Sequence, residues 1–319
     1  MSTEIKQGVV IKTTGSWYAV RLDDGEILQS RIVGKFRLDG KSLTNPVAVG
    51  DDVKLSINEK SGDATIVKIE SRRNYVIRQS PRKKHDLHLI ASNIDQAVLV
   101  MTISHPNLKQ GFIDRFLLMT EPHDIPVHIV FNKADLYEEE EFAMFLGLQD
   151  IYDPIGYKTY LVSAQTGQGV DEISAVLKDK ITLTGGQSGV GKSTLINAIQ
   201  PYLDLKTSVL SDHTGKGQHT TTFAEMFALD FGGHIIDIPG IKTLSFNNLE
   251  PMDVTHNFRE FFELSPGCKF PNCTHRNEPK CAVHAAIEDG TVSELRYLNY
   301  IKILEEVEQQ NYWERHKHF

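Results

Sequence analysis

The sequence predicts a multi-domain chain: an N-terminal β-barrel of the OB-fold type, a central α/β domain, and a mainly helical C-terminal domain. Three observations carry that expectation. The opening stretch is a series of short strand-like runs broken by turn residues. Positions 181–200 read as strand, glycine-rich loop and helix. All three cysteines fall between positions 268 and 281. At 319 residues the chain suits two or three domains rather than one, and the expected divisions are 1–75, 76–248 and 249–319.

Gly8–Lys12 and Trp17–Arg21 are strand-like and separated by Thr14-Gly15. Asp23-Asp24-Gly25 is a hairpin turn before Glu26–Ile32. Gly50-Asp51-Asp52 precedes Val53–Ile57, and Ser61-Gly62-Asp63 precedes Ala64–Ile69. Five short strands in this space fit an OB-fold, a barrel that often binds RNA. Trp17, Tyr18 and Phe36 are candidates for stacking on bases and equally for the barrel core. Arg72, Arg73, Arg78, Arg82, Lys83 and Lys84 cluster just beyond, opposed only by Asp86. Such a cluster is either a solvated face or a phosphate-binding one. The net charge of −8 conceals an asymmetry, because residues 1–88 hold 16 basic and 11 acidic side chains and so are net positive.

In the central part, Asp95–Thr102 is a nearly continuous apolar run, as in a parallel strand covered on both faces. Gly111–Thr120 reads as a helix with Phe112, Phe116 and Met119 on one side. Val127–Phe131 is a strand, Gly169–Lys180 an amphipathic helix, Ile181–Leu183 a strand and Thr194–Gln200 a helix. This alternation implies a doubly wound sheet with ligands at the strands' C-terminal ends. Between the last two elements, Gly186-Gln187-Ser188-Gly189-Val190-Gly191-Lys192-Ser193 spells G-x-x-x-x-G-K-S, a P-loop that leads into Thr194. Its glycines let backbone N–H groups turn onto phosphate oxygens, and the helix N-terminus adds positive potential. Lys192 would reach the β- and γ-phosphates, and the Ser193 hydroxyl would hold Mg²⁺.

Base choice rests on other residues. Asn132-Lys133-Ala134-Asp135 follows a strand and resembles the N-K-x-D guanine motif of GTPases. The Asp135 carboxylate would accept two N–H bonds that adenine cannot offer, and a wrong base leaves that acceptor unpaired. Ser163-Ala164, after Thr159–Val162, resembles the motif whose backbone meets guanine O6. Asp237-Ile238-Pro239-Gly240 resembles D-x-x-G, with Asp237 near Mg²⁺ and the Gly240 N–H near the γ-phosphate. Gly217-Gln218-His219-Thr220-Thr221-Thr222 is where a switch threonine belongs, and Thr221 is the favoured Mg²⁺ ligand of the three. Ile241 stands where many GTPases carry a water-orienting glutamine, so unaided hydrolysis should be slow, with His219 the internal candidate for that role.

The order, base motifs first and P-loop later, resembles that of the circularly permuted GTPases. Over nearly the whole chain the resemblance is to the RsgA (YjeQ/YloQ) family of ribosome-assembly GTPases. It extends to Ala48-Val49-Gly50-Asp51 and Arg72-Arg73-Asn74 in the N-terminal region and supports the OB-fold there. It also points to His219 in catalysis.

In the C-terminal part, Cys268, Cys273, His275 and Cys281 form C-x₄-C-x-H-x₅-C. Three thiolates and an imidazole make a closed tetrahedral set, typical of one structural Zn²⁺ per chain. By spacing alone, His284 rivals His275 as the fourth ligand. The family phrase C-x-H-x-x-E-P-x-C, matched through Glu278-Pro279, favours His275. The tail, Val292–Tyr312, reads as a helix with Leu295, Leu298, Ile301, Leu304 and Val307 on an apolar stripe, expected to pack in the core.

An odd cysteine count argues against a disulfide framework, and no apolar run approaches the ~20 residues that span a bilayer. A cytoplasmic protein without membrane association, acting as a monomer, is expected. The residues reach a Mg²⁺-dependent GTP/GDP switch beside an RNA-binding barrel and a zinc module. The resemblance implies more: late maturation of the small ribosomal subunit, with its rRNA as docking surface and activator, and release of assembly factors on hydrolysis. Two other readings stand beside it: a nucleotide-responsive RNA-binding module that does not hydrolyse GTP, and a signalling GTPase with a protein partner.

Overall fold

The computed structural model describes residues 3–32, 45–58, 62–79, 87–203, 224–238, 244, 246 and 249–315. The first five strands are β1 (Thr3–Thr13), β2 (Tyr18–Leu22), β3 (Ile27–Ile32), β4 (Asp52–Asn58) and β5 (Ala64–Ile69). They run in the order β1-β2-β3-β5-β4, and β4 pairs back on β1 to close the barrel. Closure removes the exposed strand edges that an open sheet of this size would carry. Among the described barrel strands, only β3 and β5 pair in parallel. Alternate residues point inward, so Val10, Val20, Leu22, Val53, Leu55 and Ile66 fill the barrel. Tyr18 joins that core, whereas Trp17 stays 40% exposed with the Arg31 guanidinium 4.0 Å from its ring. Phe36 lies outside the described residues.

A hairpin that the sequence reading did not anticipate, β6 (Tyr75–Gln79) with β7 (Leu87–Ser92), follows the barrel. The junction is held by Asp51, fully buried, whose carboxylate takes Arg72 Nε and Nη2 at 2.6 Å each, Ser92 Oγ at 2.6 Å and the Ala48 N–H at 2.9 Å. Gly50 sits beside it at φ +93°, where a Cβ would come within 2.1 Å of the Ser92 carbonyl oxygen. Two members of the basic cluster are thereby accounted for. Arg72 is consumed by Asp51, and Arg73 pairs with Asp95 at 2.6 Å and donates to the Asn93 carbonyl. Arg82, Lys83 and Lys84 fall outside the described residues.

The central sheet uses β8 (Gln96–Met101), β9 (Val127–Phe131), β10 (Thr159–Leu161), β11 (Ile181–Gly186), β12 (Glu225–Ala228) and β13 (His234–Asp237), in the order β10-β9-β8-β11-β13-β12. All neighbours are parallel except β12, which runs antiparallel to β13. Every residue of β8 is buried, as its nearly continuous apolar run predicts. Helices α1 (Gln110–Thr120) and α2 (Glu139–Tyr152) cover one face, and α3 (Val170–Leu177) and α4 (Lys192–Ile199) the other. At the far edge Lys12 of β1 pairs with Glu225 of β12, so barrel and central sheet are continuous.

The C-terminal part comprises α5 (Pro251–His256), α6 (Arg259–Leu264), α7 (Ala282–Glu288) and α8 (Glu294–Arg315), and it shares a hydrophobic core with α1. Here the expected stripe is corrected. Leu304 and Val307 are buried, but Leu295 and Leu298 are 41% and 47% exposed, and Arg296, Asn299, Tyr300 and Ile303 are buried instead. The true buried face is partly polar because it meets Asp114 of α1: Arg296 Nη1 and Asn299 Nδ2 reach that carboxylate at 2.7 and 2.6 Å.

Candidate nucleotide site and metal centre

β11, β9 and β13 deliver their loops to one end of the sheet, and the motif residues meet there. Gly189 and Gly191 adopt left-handed conformations, at φ +85° and +83°. A Cβ on Gly191 would also lie 2.5 Å from Asn132 Nδ2, so both backbone and packing demand glycine there. α4 begins at Lys192, and Ser193 and Thr194 occupy its first turn. Lys192 is 8% exposed; its ammonium touches the Asp237 carboxylate and donates to the Ile238 carbonyl at 3.1 Å. Burial pushes that ammonium down to about 8, while a carboxylate or phosphate against it acts in the opposite sense.

Asn132, 1% exposed, ties three loops together. Its Nδ2 donates to the Val190 carbonyl at 3.0 Å, its Oδ1 accepts the Ala164 N–H at 3.1 Å, and its N–H reaches Met101 O at 2.8 Å. Lys133 takes a left-handed conformation at φ +69° and donates to Gly189 O at 2.8 Å and His105 O at 2.5 Å. Ala134 N–H donates to Val162 O at 3.0 Å, and Asp135 accepts the Ser163 hydroxyl at 2.5 Å. Two contributors were missed from the sequence. Tyr137 donates its phenol to Asn132 O and accepts the Ile103 N–H, both at 2.9 Å, and burial pushes that phenol up to about 12. The residue 102–108 turn, through His105 O, buttresses Lys133. The only sequence signal was that Tyr137 stands five residues after Asn132.

The structure therefore brings together Asn132, Lys133, Ala134, Asp135, Ser163, Ala164, the P-loop residues Gly186 to Ser193, and Asp237. Gln187 and Ser188 belong to the same loop. His219, Thr220, Thr221, Thr222, Gly240 and Ile241 lie outside the described residues.

In the C-terminal part, the ligand atoms of Cys268, Cys273, His275 and Cys281 all lie within 4.8 Å of one another. His275 Nδ1 is 3.7 Å from Cys268 Sγ and 3.4 Å from Cys281 Sγ, and those two sulfurs are 4.0 Å apart. Metal bonds of ~2.0–2.3 Å in a tetrahedron need such separations. His275 is fully buried, and its other nitrogen faces Ser265 Oγ at 3.3 Å. His284 is not among the four residues whose ligand atoms gather here, and its Nε2 sits 3.0 Å from the His275 carbonyl oxygen. Burial acts against charge on Glu278, yet hydrogen bonds from the Thr274 hydroxyl, the Thr274 N–H and the Arg276 N–H hold its carboxyl down at about 2. The same bonds close the loop between Cys273 and Cys281.

Comparison with known proteins identifies the family and the fold. The family model described as RsgA GTPase matches residues 69–247, and that described as RsgA N-terminal domain matches residues 7–66. Curated relatives bearing the name small ribosomal subunit biogenesis GTPase RsgA include one from Bacteroides fragilis, 48% identical over 96% of this chain and 98% of its own. Another, from Flavobacterium psychrophilum, is 47% identical over 93% and 92%. Among solved structures, YjeQ from Thermotoga maritima superposes with a TM-score of 0.76 at 33% identity, covering 95% of this chain and 99% of that one. YloQ, described as a circularly permuted GTPase, gives 0.72 at 30%, covering 96% of each.

Proposed function

Since the chain belongs to the RsgA GTPase family, we propose that it is a GTPase of small-ribosomal-subunit maturation whose hydrolysis is stimulated by that subunit. Relatives at nearly half identity over nearly their full length carry that name. The observation that carries the site reading is the convergence of Asn132, Asp135, Ser163, the P-loop and Asp237 at one end of a permuted sheet. Asp135 reads the guanine edge, and its present partner, the Ser163 hydroxyl, keeps the carboxylate oriented. Lys192 and the Gly186–Ser193 N–H groups take the phosphates, so Lys192 leaves Asp237 for the nucleotide. Ser193, Thr221 and Asp237 hold Mg²⁺, which offsets charge on the β- and γ-phosphates when bound. The Gly240 N–H meets the γ-phosphate, and His219 orients the attacking water in place of Ile241.

The Cys268–Cys273–His275–Cys281 set holds one Zn²⁺ with no open position, a structural role. A freshly purified protein without zinc would refute that assignment. The units 1–75, 76–248 and 249–319 act as RNA-docking barrel, GTPase and zinc-bearing helical domain. The protein works as a monomer on subunit rRNA, in the cytoplasm, and GTP hydrolysis is coupled to release of assembly factors and of the protein itself.

Turnover of GTP measured alone, with small subunits and with large subunits tests the reading. Strong stimulation by small subunits only is expected, and equal rates in all three overturn it. His219→Ala should keep GTP affinity and lose roughly 10²-fold of the stimulated rate. Full stimulated turnover in that variant would move the catalytic group elsewhere.

A further inference from the structure

Helix α1 carries two neighbouring charges that both reach α8, and one of them also holds the chain beyond D-x-x-G. Asp114 is buried against α8, while Arg115 is half-buried and lies at the edge of the central domain. Arg115 Nη1 donates to the Leu244 carbonyl at 3.0 Å, and Nη2 meets Glu306 Oε2 of α8 at 2.5 Å. Leu244 is four residues beyond Gly240, the last residue of D-x-x-G, and its side chain is buried in the core. At the start of that motif, Asp237 and Ile238 are held by Lys192. One planar guanidinium thus spans the chain leaving the D-x-x-G stretch and the C-terminal helix.

We propose that Arg115 is a positioning residue that fixes the exit of the D-x-x-G stretch and couples it to α8, so that the C-terminal domain senses which nucleotide is bound. This rests on the GTPase reading above. Arginine suits the task because its fork can donate to a carbonyl and a carboxylate at once, along different directions. A lysine ammonium at the end of a flexible stem does not hold both in a fixed plane. Glu306 supplies the far end of the link, and Asp114, one residue away, holds the same two helices together through Arg296. A shift in the backbone after Gly240 therefore has a rigid element to act upon, with Arg115 as the contact.

The test uses the full-length, zinc-loaded protein. Affinities for GDP and for a non-hydrolysable GTP analogue are measured in the parent, Arg115→Lys and Glu306→Gln, with hydrogen exchange along α8 in both nucleotide states. In the parent, α8 should exchange differently with the two nucleotides. In Arg115→Lys the preference for the GTP analogue over GDP should change by about fivefold or more, the lower range of ordinary coupling, and the exchange difference should disappear. GDP affinity and zinc content should stay near parent values. Glu306→Gln keeps the side-chain shape at a partly exposed site, so it decides the matter should Arg115→Lys fold poorly. It should remove the exchange difference while leaving the nucleotide preference closer to the parent's. Equal loss of affinity for both nucleotides, or an unchanged exchange difference in both variants, overturns the proposal. A parent that binds neither nucleotide would instead sink the GTPase reading itself.

Discussion

Lys192 and Arg296 are both buried cations facing carboxylates, and their surroundings differ in one respect: how completely each charge is satisfied. Arg296 places Nε and Nη2 on Glu260 at 2.7 and 2.8 Å and Nη1 on Asp114 at 2.7 Å, with its guanidinium 4.5 Å from the Phe258 ring. Asp114 accepts in addition from Tyr152 and Asn299, at 2.7 and 2.6 Å. Burial works against the Arg296 charge, but Asp114 and Glu260 hold its proton well above the usual arginine range. Lys192 has one carboxylate, itself partly exposed, and one carbonyl, and burial pushes its proton the other way. A closed network holds two domains in place. An under-satisfied cation at a helix N-terminus is, on the GTPase reading proposed above, the group that takes a phosphate.

The contrast can be broken most directly at Arg296. Arg296→Met keeps volume but leaves Asp114 and Glu260 buried without a cation, which costs on the order of 3–5 kcal/mol. Denaturation should show a sharply lowered midpoint, and GTP affinity measured well below that midpoint should be close to the parent's. A mild effect would mean that the network is not closed as described. Lys192→Ala should do the reverse. Stability should change by about 1 kcal/mol at most, since Asp237 retains access to water, while kcat/KM should fall by ~10²–10³, the usual cost of removing one donor from a developing oxyanion. If Lys192→Ala unfolds the protein before it impairs turnover, the two cations are not different in kind.

The same contrast explains what the sequence made legible. The P-loop, N-K-x-D and D-x-x-G stand out because phosphate and guanine geometry constrains residues that are contiguous in the chain. Gly191 is required both by its φ and by Asn132, and each requirement leaves a letter in a short motif. The three-cysteine, one-histidine cluster is legible for the same reason, its four residues spanning only positions 268–281. Arg296 left no such trace, because its partner Asp114 is 182 residues away, and a buried arginine flanked by exposed Leu295 and Leu298 inverts the apparent helix stripe. Arg72 was misread likewise: its partner Asp51 lies 21 residues back and beyond two strands. α2 escaped notice because only Phe145, Leu148 and Tyr152 are buried, while Phe142, Met144 and Leu146 face solvent. Such a helix has no clean apolar period to detect.

The smallest expected effect lies at the seam between barrel and central sheet. Lys12 of β1 and Glu225 of β12 pair at 2.8 Å, but their side chains are 42% and 28% exposed. Glu225 opens β12 only three residues after Thr222, so this pair joins the barrel to the strand that follows the threonine segment. Its position invites a large role, yet its exposure argues otherwise. Water already solvates both charges, so the Coulomb gain is small and two flexible side chains must be held still. Lys12→Ala should therefore lower stability by less than about 1 kcal/mol, and the difference should shrink further as salt rises and screens the pair. The barrel stays docked because Asp51, fully buried among Arg72, Ser92 and the Ala48 N–H, is untouched. Matched melts of Lys12→Ala and Arg296→Met at low and high salt set the two ends of the scale. A Lys12→Ala loss that approaches the Arg296→Met loss, or that persists undiminished at high salt, would show that burial does not rank these ion pairs, and the distinction drawn between Lys192 and Arg296 would lose its basis.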